Sequence, residues 1–194
     1  ESDCETVVLH DLVRQVKRET VLEAEDEYDV LAMSWYAKGM YVKHRKRGDE
    51  IKAKKLYRVE QGDFVYNRLF AWKGSFAEAS EENSGCFVSN EFPTFTVVDD
   101  RVEPGYLWAF FSQPAVWEYI ESLSTGTTST SRLRLKERQL LKFRIPLPPQ
   151  DVQRQIVDLL RGCLKWERIA KQIVDEQPSV LPAVLERLVS RVET

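Results

Sequence analysis

The stretch Gly62–Ser80, GDFVYNRLFAWKGSFAEAS, read together with Val88–Val97, VSNEFPTFTV, decides how this chain is understood. Gly62-Asp63 and Lys73-Gly74-Ser75 are turn signals, and Phe64-Val65-Tyr66 between them is a short β segment of aromatic and β-branched residues. A basic, aromatic loop follows that segment. Arg68, Trp72 and Lys73 set cations beside flat apolar rings, the combination that grips a nucleic-acid backbone and stacks on or wedges against bases. Phe64, Phe70, Trp72 and Phe76 also suit a packed core, because large aromatics are generally well buried. The residues alone leave both readings open.

Outward from this centre, the pattern is of short strands. Val7–Lys17 reads as a strand entering a short helix, or as a helix alone, and Tyr28–Met33 reads as a strand. Lys38-Gly39-Met40 reads as a turn leading to an exposed loop, Lys43–Asp49. Leu56–Val59, Cys86–Ser89 and Phe95–Val98 supply further β segments bounded by Gly, Asn and Pro. Strands at such close spacing predict a curved sheet or open barrel. Tyr106–Leu123 changes to helical spacing, broken near Pro114, which predicts two short helices packed on the sheet. Ser124–Ser131, STGTTSTS, is a hydroxyl-rich loop, and Leu140–Pro146 a closing strand ended by prolines.

Beyond Pro149, Val152, Ile156, Leu159, Leu160, Cys163, Trp166, Ala170, Ile173 and Val174 recur every three or four residues. They predict a helix of roughly 25 residues, about 40 Å long at ~1.5 Å per residue. Pro178 interrupts it, Ser179 is placed to cap a second helix, and Leu181, Val184, Leu185, Leu188 and Val192 give that helix an apolar stripe. The fold class is α+β: a globular β-rich domain with short packed helices over residues 1–148, then a helical arm over 149–194. An apolar stripe on such an arm suits a coiled coil or subunit docking, unless the two helices cover each other as a hairpin.

Composition narrows the function. With 194 residues, 43% hydrophobic and 30% charged, the chain can bury a sizeable core without metal or disulfide staples. There is no apolar run near the ~20 residues of a membrane span. Cys4, Cys86 and Cys163 are widely separated and form no CxxC pair, which fits a reducing, cytoplasmic setting. The first residue, Glu1, is not Met, and the expectation is that this is a piece of a longer chain.

The formal net charge of −3 hides a segregated distribution. Lys38–Arg58 carries nine Lys or Arg against Asp49 and Glu50, and Ser124–Arg144 carries six against Glu137. Ten acidic residues in Glu1–Val30 and seven in Ser75–Gly105 compensate. Such segregation can give a folded domain one positive face.

In this order, VVLHDLV from Val7, GDFVYNRLFAWKGSFA from Gly62, VSNEFPTF from Val88, STGTT from Ser124 and IPLPPQDVQRQIVDLL from Ile145 resemble the specificity subunits of type I restriction–modification systems. The resemblance covers nearly the whole chain at about half the usual subunit length. It implies a non-catalytic subunit that reads one half of a split double-stranded DNA target and places a methyltransferase subunit, and through it a motor-nuclease subunit, on that DNA. The family carries two recognition domains separated by antiparallel helices. A single unit is either an excised domain or a half-subunit that pairs through its helices, as a homodimer, to restore the two-fold arrangement.

The expected DNA-binding residues are regional. Lys38, Lys43, Arg45, Lys46 and Arg47 come from the first basic island on charge alone. Asn67, Arg68 and Lys73 come from the aromatic motif. Ser124, Thr125, Thr127, Thr128 and Arg132 come from the hydroxyl loop, whose hydroxyls and amides suit phosphate oxygens. Ile156, Leu160, Cys163, Ile173, Leu181, Leu185 and Leu188 are the expected docking residues.

No cofactor, metal or catalytic residue is expected: His10 and His44 stand far apart with no ligand spacing, and there is no Gly-rich phosphate cradle. Two other readings compete. Asp29 with Asp49-Glu50-Ile51-Lys52 imitates the carboxylates and lysine of a metal-dependent nuclease, using Glu50 and Lys52. Alternatively the helices make the chain a protein-interaction scaffold that does not bind DNA.

Overall fold

The structure is a computed structural model that describes residues 4–123 and 134–176. The chain opens with strand β1 (Glu5–Val8), a single helical turn α1 (Leu9–Leu12) and strand β2 (Val13–Val16), so the ambiguous first segment is strand, turn and strand. There follow β3 (Glu19–Val21), β4 (Glu27–Met33), β5 (Met40–Arg47), β6 (Lys55–Arg58), β7 (Phe64–Tyr66), β8 (Phe76–Glu78), β9 (Phe87–Val88) and β10 (Thr94–Val97). Helices α2 (Tyr106–Phe110) and α3 (Pro114–Leu123) come next, then α4 (Glu137–Leu140), strand β11 (Arg144–Leu147) and the long helix α5 (Gln150–Glu176). None of the described helices is long and apolar enough to cross a membrane.

The described strands form three sheets rather than one barrel: β1-β11, β2-β10-β7-β8 and β3-β6-β9-β4-β5. All pairings are antiparallel except β4 with β9, which meet at Val30 and Phe87. Among the described strands, only β4–β5 and β7–β8 are hairpins between consecutive strands; the other pairings join strands distant in the chain.

Two sequence expectations are corrected here. Lys43–Asp49 is not a loop. Lys43–Arg47 lies in the edge strand β5, whose cations pair across the ladder with acids of β4: Glu27 faces Arg47, and Asp29 faces Arg45. A charged, bulged edge is how a sheet margin avoids further pairing, and the register shift between Val30 and Leu31 leaves Lys43 as the extra residue of the bulge. The closing strand also begins later than expected, because Glu137–Leu140 is helical, and it runs through Pro146 to Leu147. A proline is tolerated there because the two-stranded sheet leaves each strand an open edge.

The aromatic motif supplies the core. Phe64, Tyr66, Phe76, Phe95 and Phe111 are buried and stack on one another, the closest pair being Phe76 and Phe111 with ring centroids 4.7 Å apart. Leu9, Leu12, Leu107, Ile120, Leu135, Leu140 and Ile145 are buried as well. A second cluster, Leu31, Met33, Val59, Val65, Ala77, Ala79, Cys86 and Val88, packs β4 against residues of β7, β8 and β9. Deleting one such ring, as in Phe76→Ala, costs roughly 3–5 kcal/mol.

The chain divides into a compact body, Glu1–Val157, and a second unit, Asp158–Thr194. The start of α5 is held to the body by Gln153. Its buried amide donates from Nε2 to the carbonyls of Arg101 (2.9 Å) and Pro148 (2.7 Å), and its Oε1 accepts the Glu103 N–H at 2.9 Å. The proline-rich junction therefore ends in a satisfied polar anchor rather than a free linker.

Candidate nucleic-acid interface

The β4–β5 hairpin and the loop after β7 meet at one corner of the body. The hairpin tip, Ser34–Gly39, is clasped by backbone bonds: the Tyr36 N–H donates to the Lys73 carbonyl at 2.8 Å and the Ala37 N–H to the Gly74 carbonyl at 2.7 Å. The Trp108 indole N–H caps the Ala37 carbonyl at 3.0 Å. These bonds hold Tyr36 and Ala37 at φ +60° and +54°, a left-handed pair that costs non-glycine residues on the order of 1–3 kcal/mol each. Gly74 itself sits at φ +67°, and an added Cβ would lie 2.3 Å from the Trp117 ring, so only glycine allows this approach.

Around the clasp is a cluster of rings and cations. The Lys73 ammonium stands 3.7 Å from the Trp35 ring centroid and 4.8 Å from that of Trp72, a two-sided cation–π arrangement. Trp35 also leans on Phe70 at 5.6 Å and Tyr36 on Trp117 at 5.7 Å. Trp35 remains 41% exposed and Tyr36 55%, in contrast to the buried rings of the same motif. Lys38, also exposed, lies on the tip next to Ala37. The structure thus brings Lys38 and Lys73, expected from separate segments, to one corner. Sequence reading missed Trp35 and Tyr36; the signal was an aromatic doublet before Gly39 between two strands.

The other expected contacts sort by their partners. Arg45 forks onto Asp29 through Nε (2.8 Å) and Nη2 (2.6 Å), which holds the Asp29 carboxyl below its usual pKa and Arg45 above its own. Arg47 pairs with Glu25 at 2.6 Å and lies 3.5 Å from Asp49. Lys43 is exposed and Lys46 half-buried. Asn67 is buried, and its Oδ1 accepts the Leu69 N–H at 2.9 Å, closing a local turn. Arg68 donates to the Asn90 carbonyl and to the Glu137 carboxylate, so its fork points into the body.

Ser124, Thr125, Thr127, Thr128 and Arg132 lie outside the described residues; the chain on their C-terminal side is tied to the aromatic motif. Leu135 is buried, its N–H donates to the Arg68 carbonyl at 3.1 Å, and its carbonyl accepts the Tyr66 hydroxyl at 3.1 Å. Arg134 pairs with Glu91 of VSNEFPTF, and Gln139 donates to the Leu123 carbonyl at the end of α3 at 2.9 Å. Burial pushes the Tyr66 phenol far above its ordinary pKa, as befits a structural hydroxyl.

Two carboxylates of the nuclease reading are engaged elsewhere. Asp29 is bridged by Arg45, and Glu50 accepts the Arg47 N–H at 3.2 Å from a 3₁₀ turn, Gly48–Glu50. Among the described residues no group of three or more His, Cys, Asp or Glu is placed to hold a metal ion.

Helix α5 carries the expected docking residues Ile156, Leu160, Cys163 and Ile173; Leu181, Leu185 and Leu188 lie outside the described residues. Val152, Ile156, Leu159, Cys163, Trp166, Ala170 and Ile173 follow strict alternating spacings of four and three, and all are exposed. Leu159 is 70% and Trp166 71% exposed, values foreign to a finished core. A seam at this 3.5-residue period is what a left-handed coiled coil buries.

The sequence profile of the type I restriction modification DNA specificity domain matches residues 1–176. No curated protein sequence matches the chain. Among solved structures, the HsdS subunit from Thermoanaerobacter tengcongensis is similar in fold, with TM-score 0.72 at 14% identity over 98% of this chain and 50% of that one. A chain from a structure described as the basis of complex assembly and conformational transition of the type I R-M system gives TM-score 0.69 at 14% identity over 99% of this chain and 50% of its own. The type I restriction–modification S subunit from M. genitalium gives 0.52 at 15% identity over 98% and 49%. This chain therefore spans about half the length of the subunits it matches.

Proposed function

Because the chain belongs to the type I restriction–modification DNA specificity family, we propose that it is one recognition unit of such a subunit, reading one half of a bipartite double-stranded DNA target. In this reading it carries no chemistry itself. It positions a methyltransferase subunit, and through it a motor-nuclease subunit, on the DNA. The observation that carries the reading is the fold-level match of this entire chain to half of each of two longer subunits.

Within this reading, exposure and side-chain partners suggest how roles divide in the unit. Lys38, Lys43, Lys46 and Lys73 are the phosphate-facing cations, exposed or half-exposed on the hairpin and its clasp. Arg45 and Arg47 stiffen the hairpin through Asp29 and Glu25, and Asn67 and Arg68 brace the scaffold beneath it. Ser124, Thr125, Thr127, Thr128 and Arg132 remain proposed phosphate contacts, supported by the anchoring of their flanks. The α5 seam is the surface for a second helix, either of an equivalent unit or of a partner subunit.

Selection from a random duplex DNA pool, with and without a methyltransferase subunit and over a range of salt, tests the proposal. An enriched half-site whose binding weakens steeply with salt supports it. A chain that enriches nothing under either condition while its helices bind protein is a scaffold instead.

A further inference from the structure

We propose that the Trp35–Tyr36 hairpin tip, braced by Lys73, is the element that enters a DNA groove and discriminates sequence, with Trp35 and Tyr36 as specificity-determining residues; this rests on the DNA-recognition reading above. Three observations converge on it. First, the tip is built and held: backbone bonds from Tyr36 and Ala37 to Lys73 and Gly74, and the Trp108 indole on the Ala37 carbonyl, fix a left-handed pair that neither residue adopts by preference. Second, the result of that conformation is exposure. Every ring of the β7, β8 and β10 strands is buried, whereas Trp35 and Tyr36 face solvent on a support of Phe70 and Trp117.

Third, the patch is marked for a polyanion rather than for another protein core. The Lys73 ammonium lies against the Trp35 face, Lys38 flanks it, and β5 leads away bearing Lys43 and Lys46. A phosphate approaching Lys73 meets the indole in the same step, so backbone neutralisation and ring contact with bases are coupled. The rings give apolar and stacking contacts, and the Tyr36 hydroxyl offers a donor and an acceptor to base edges.

The test uses the whole chain and the random duplex pool. Trp35→Ala and Tyr36→Gly are compared with the wild type, Tyr36→Gly being chosen because glycine adopts φ +60° without strain. The expected result is a tenfold or greater loss of affinity for the sequence that the wild type enriches, with non-specific binding at low salt nearly unchanged and the variants' enriched sequences altered. Lys73→Met is expected to weaken binding to all sequences and to lower the salt slope by about one. If the wild type enriches a sequence and both tip variants enrich the same one with unchanged affinity, the tip is not the reader and this proposal falls, while the family reading stands. If the wild type enriches nothing with or without a methyltransferase subunit, the DNA-recognition reading and the tip proposal fall together.

Discussion

Arg18 Nη1 lies 2.6 Å from Asp63 Oδ2, joining the segment after β2 to the Gly62-Asp63 turn 45 residues later. Asp63 is only 2% exposed, and its carboxylate also accepts from Arg18 Nη2 (3.1 Å), the Thr96 hydroxyl (3.1 Å) and the Glu60 N–H (2.8 Å). A buried carboxylate so surrounded is a structural hub, and removing its cation leaves a charge without compensation. Arg18→Met is therefore expected to destabilise the body by roughly 3 kcal/mol. Lys55→Met, which breaks an exposed 2.7 Å pair with Glu19, is expected to change nothing measurable. Urea unfolding followed by tryptophan fluorescence separates the two; equal effects would mean that the Asp63 site is not energetically special.

Gly74 and Gly85 make a controlled pair. Both have positive φ, +67° and +81°, but a Cβ on Gly85 meets open space whereas one on Gly74 runs into Trp117. Trp117 is fixed by its indole N–H on the Phe111 carbonyl at 2.6 Å and has little room to retreat. Gly85→Ala is expected to cost about 1–2 kcal/mol, the left-handed penalty alone. Gly74→Ala adds overpacking of about 1–3 kcal/mol and loosens the clasp of the hairpin tip. Melting temperatures of the two variants check the order.

The strand Phe64–Tyr66 and the helix pair broken near Pro114 were legible because their signals are local: a short aromatic and β-branched run between turns, and a proline placed to open the second helix. The strand over Lys43–Arg47 was not, since five consecutive polar residues carry no hydrophobic pattern and their β identity comes from hydrogen bonds to β4. The site shows the same division. Lys73 could be nominated from its neighbours. The inward turn of Arg68 depends on Glu137, 69 residues away, and the exposure of Trp35 and Tyr36 depends on a clasp formed with the Lys73-Gly74 turn.

The Arg68–Glu137 pair predicts a pH dependence. Burial, the largest single effect, would raise the Glu137 pKa, but the hydrogen bond and charge of Arg68, together with hydrogen bonds from the backbone and from Gln15, jointly outweigh it and hold the carboxyl below its ordinary 4.5. A depressed folded-state pKa means that the unfolded chain takes up the proton first. The stabilisation is thus fully present above about pH 4.5 and is lost as pH falls through the lower folded value. Glu137→Gln should be less stable than wild type near neutrality, with the gap closing as pH drops below 4.5. A gap that stays constant in acid denaturation curves would show that the carboxylate charge contributes nothing.

The α5 seam makes a prediction about association. Its seven apolar positions run from Val152 to Ile173, and Cys163 stands at the middle of them. Two copies pairing along this seam in register, or antiparallel about its centre, bring one Cys163 beside the other. In a Cys4→Ser background, which removes the other exposed thiol, mild oxidation is expected to give a covalent dimer. Sedimentation should show a mass that rises with concentration, and the exposed Trp166 should shift its emission to the blue as the seam is covered. Leu159→Glu with Ile173→Glu places charges within that seam, so it should abolish the crosslink and the concentration dependence while the helix, whose intramolecular hydrogen bonds are untouched, keeps its circular-dichroism signal. A wild-type chain that stays monomeric and uncrosslinked at high concentration would instead assign the seam to a different subunit, and adding a methyltransferase subunit should then blue-shift Trp166.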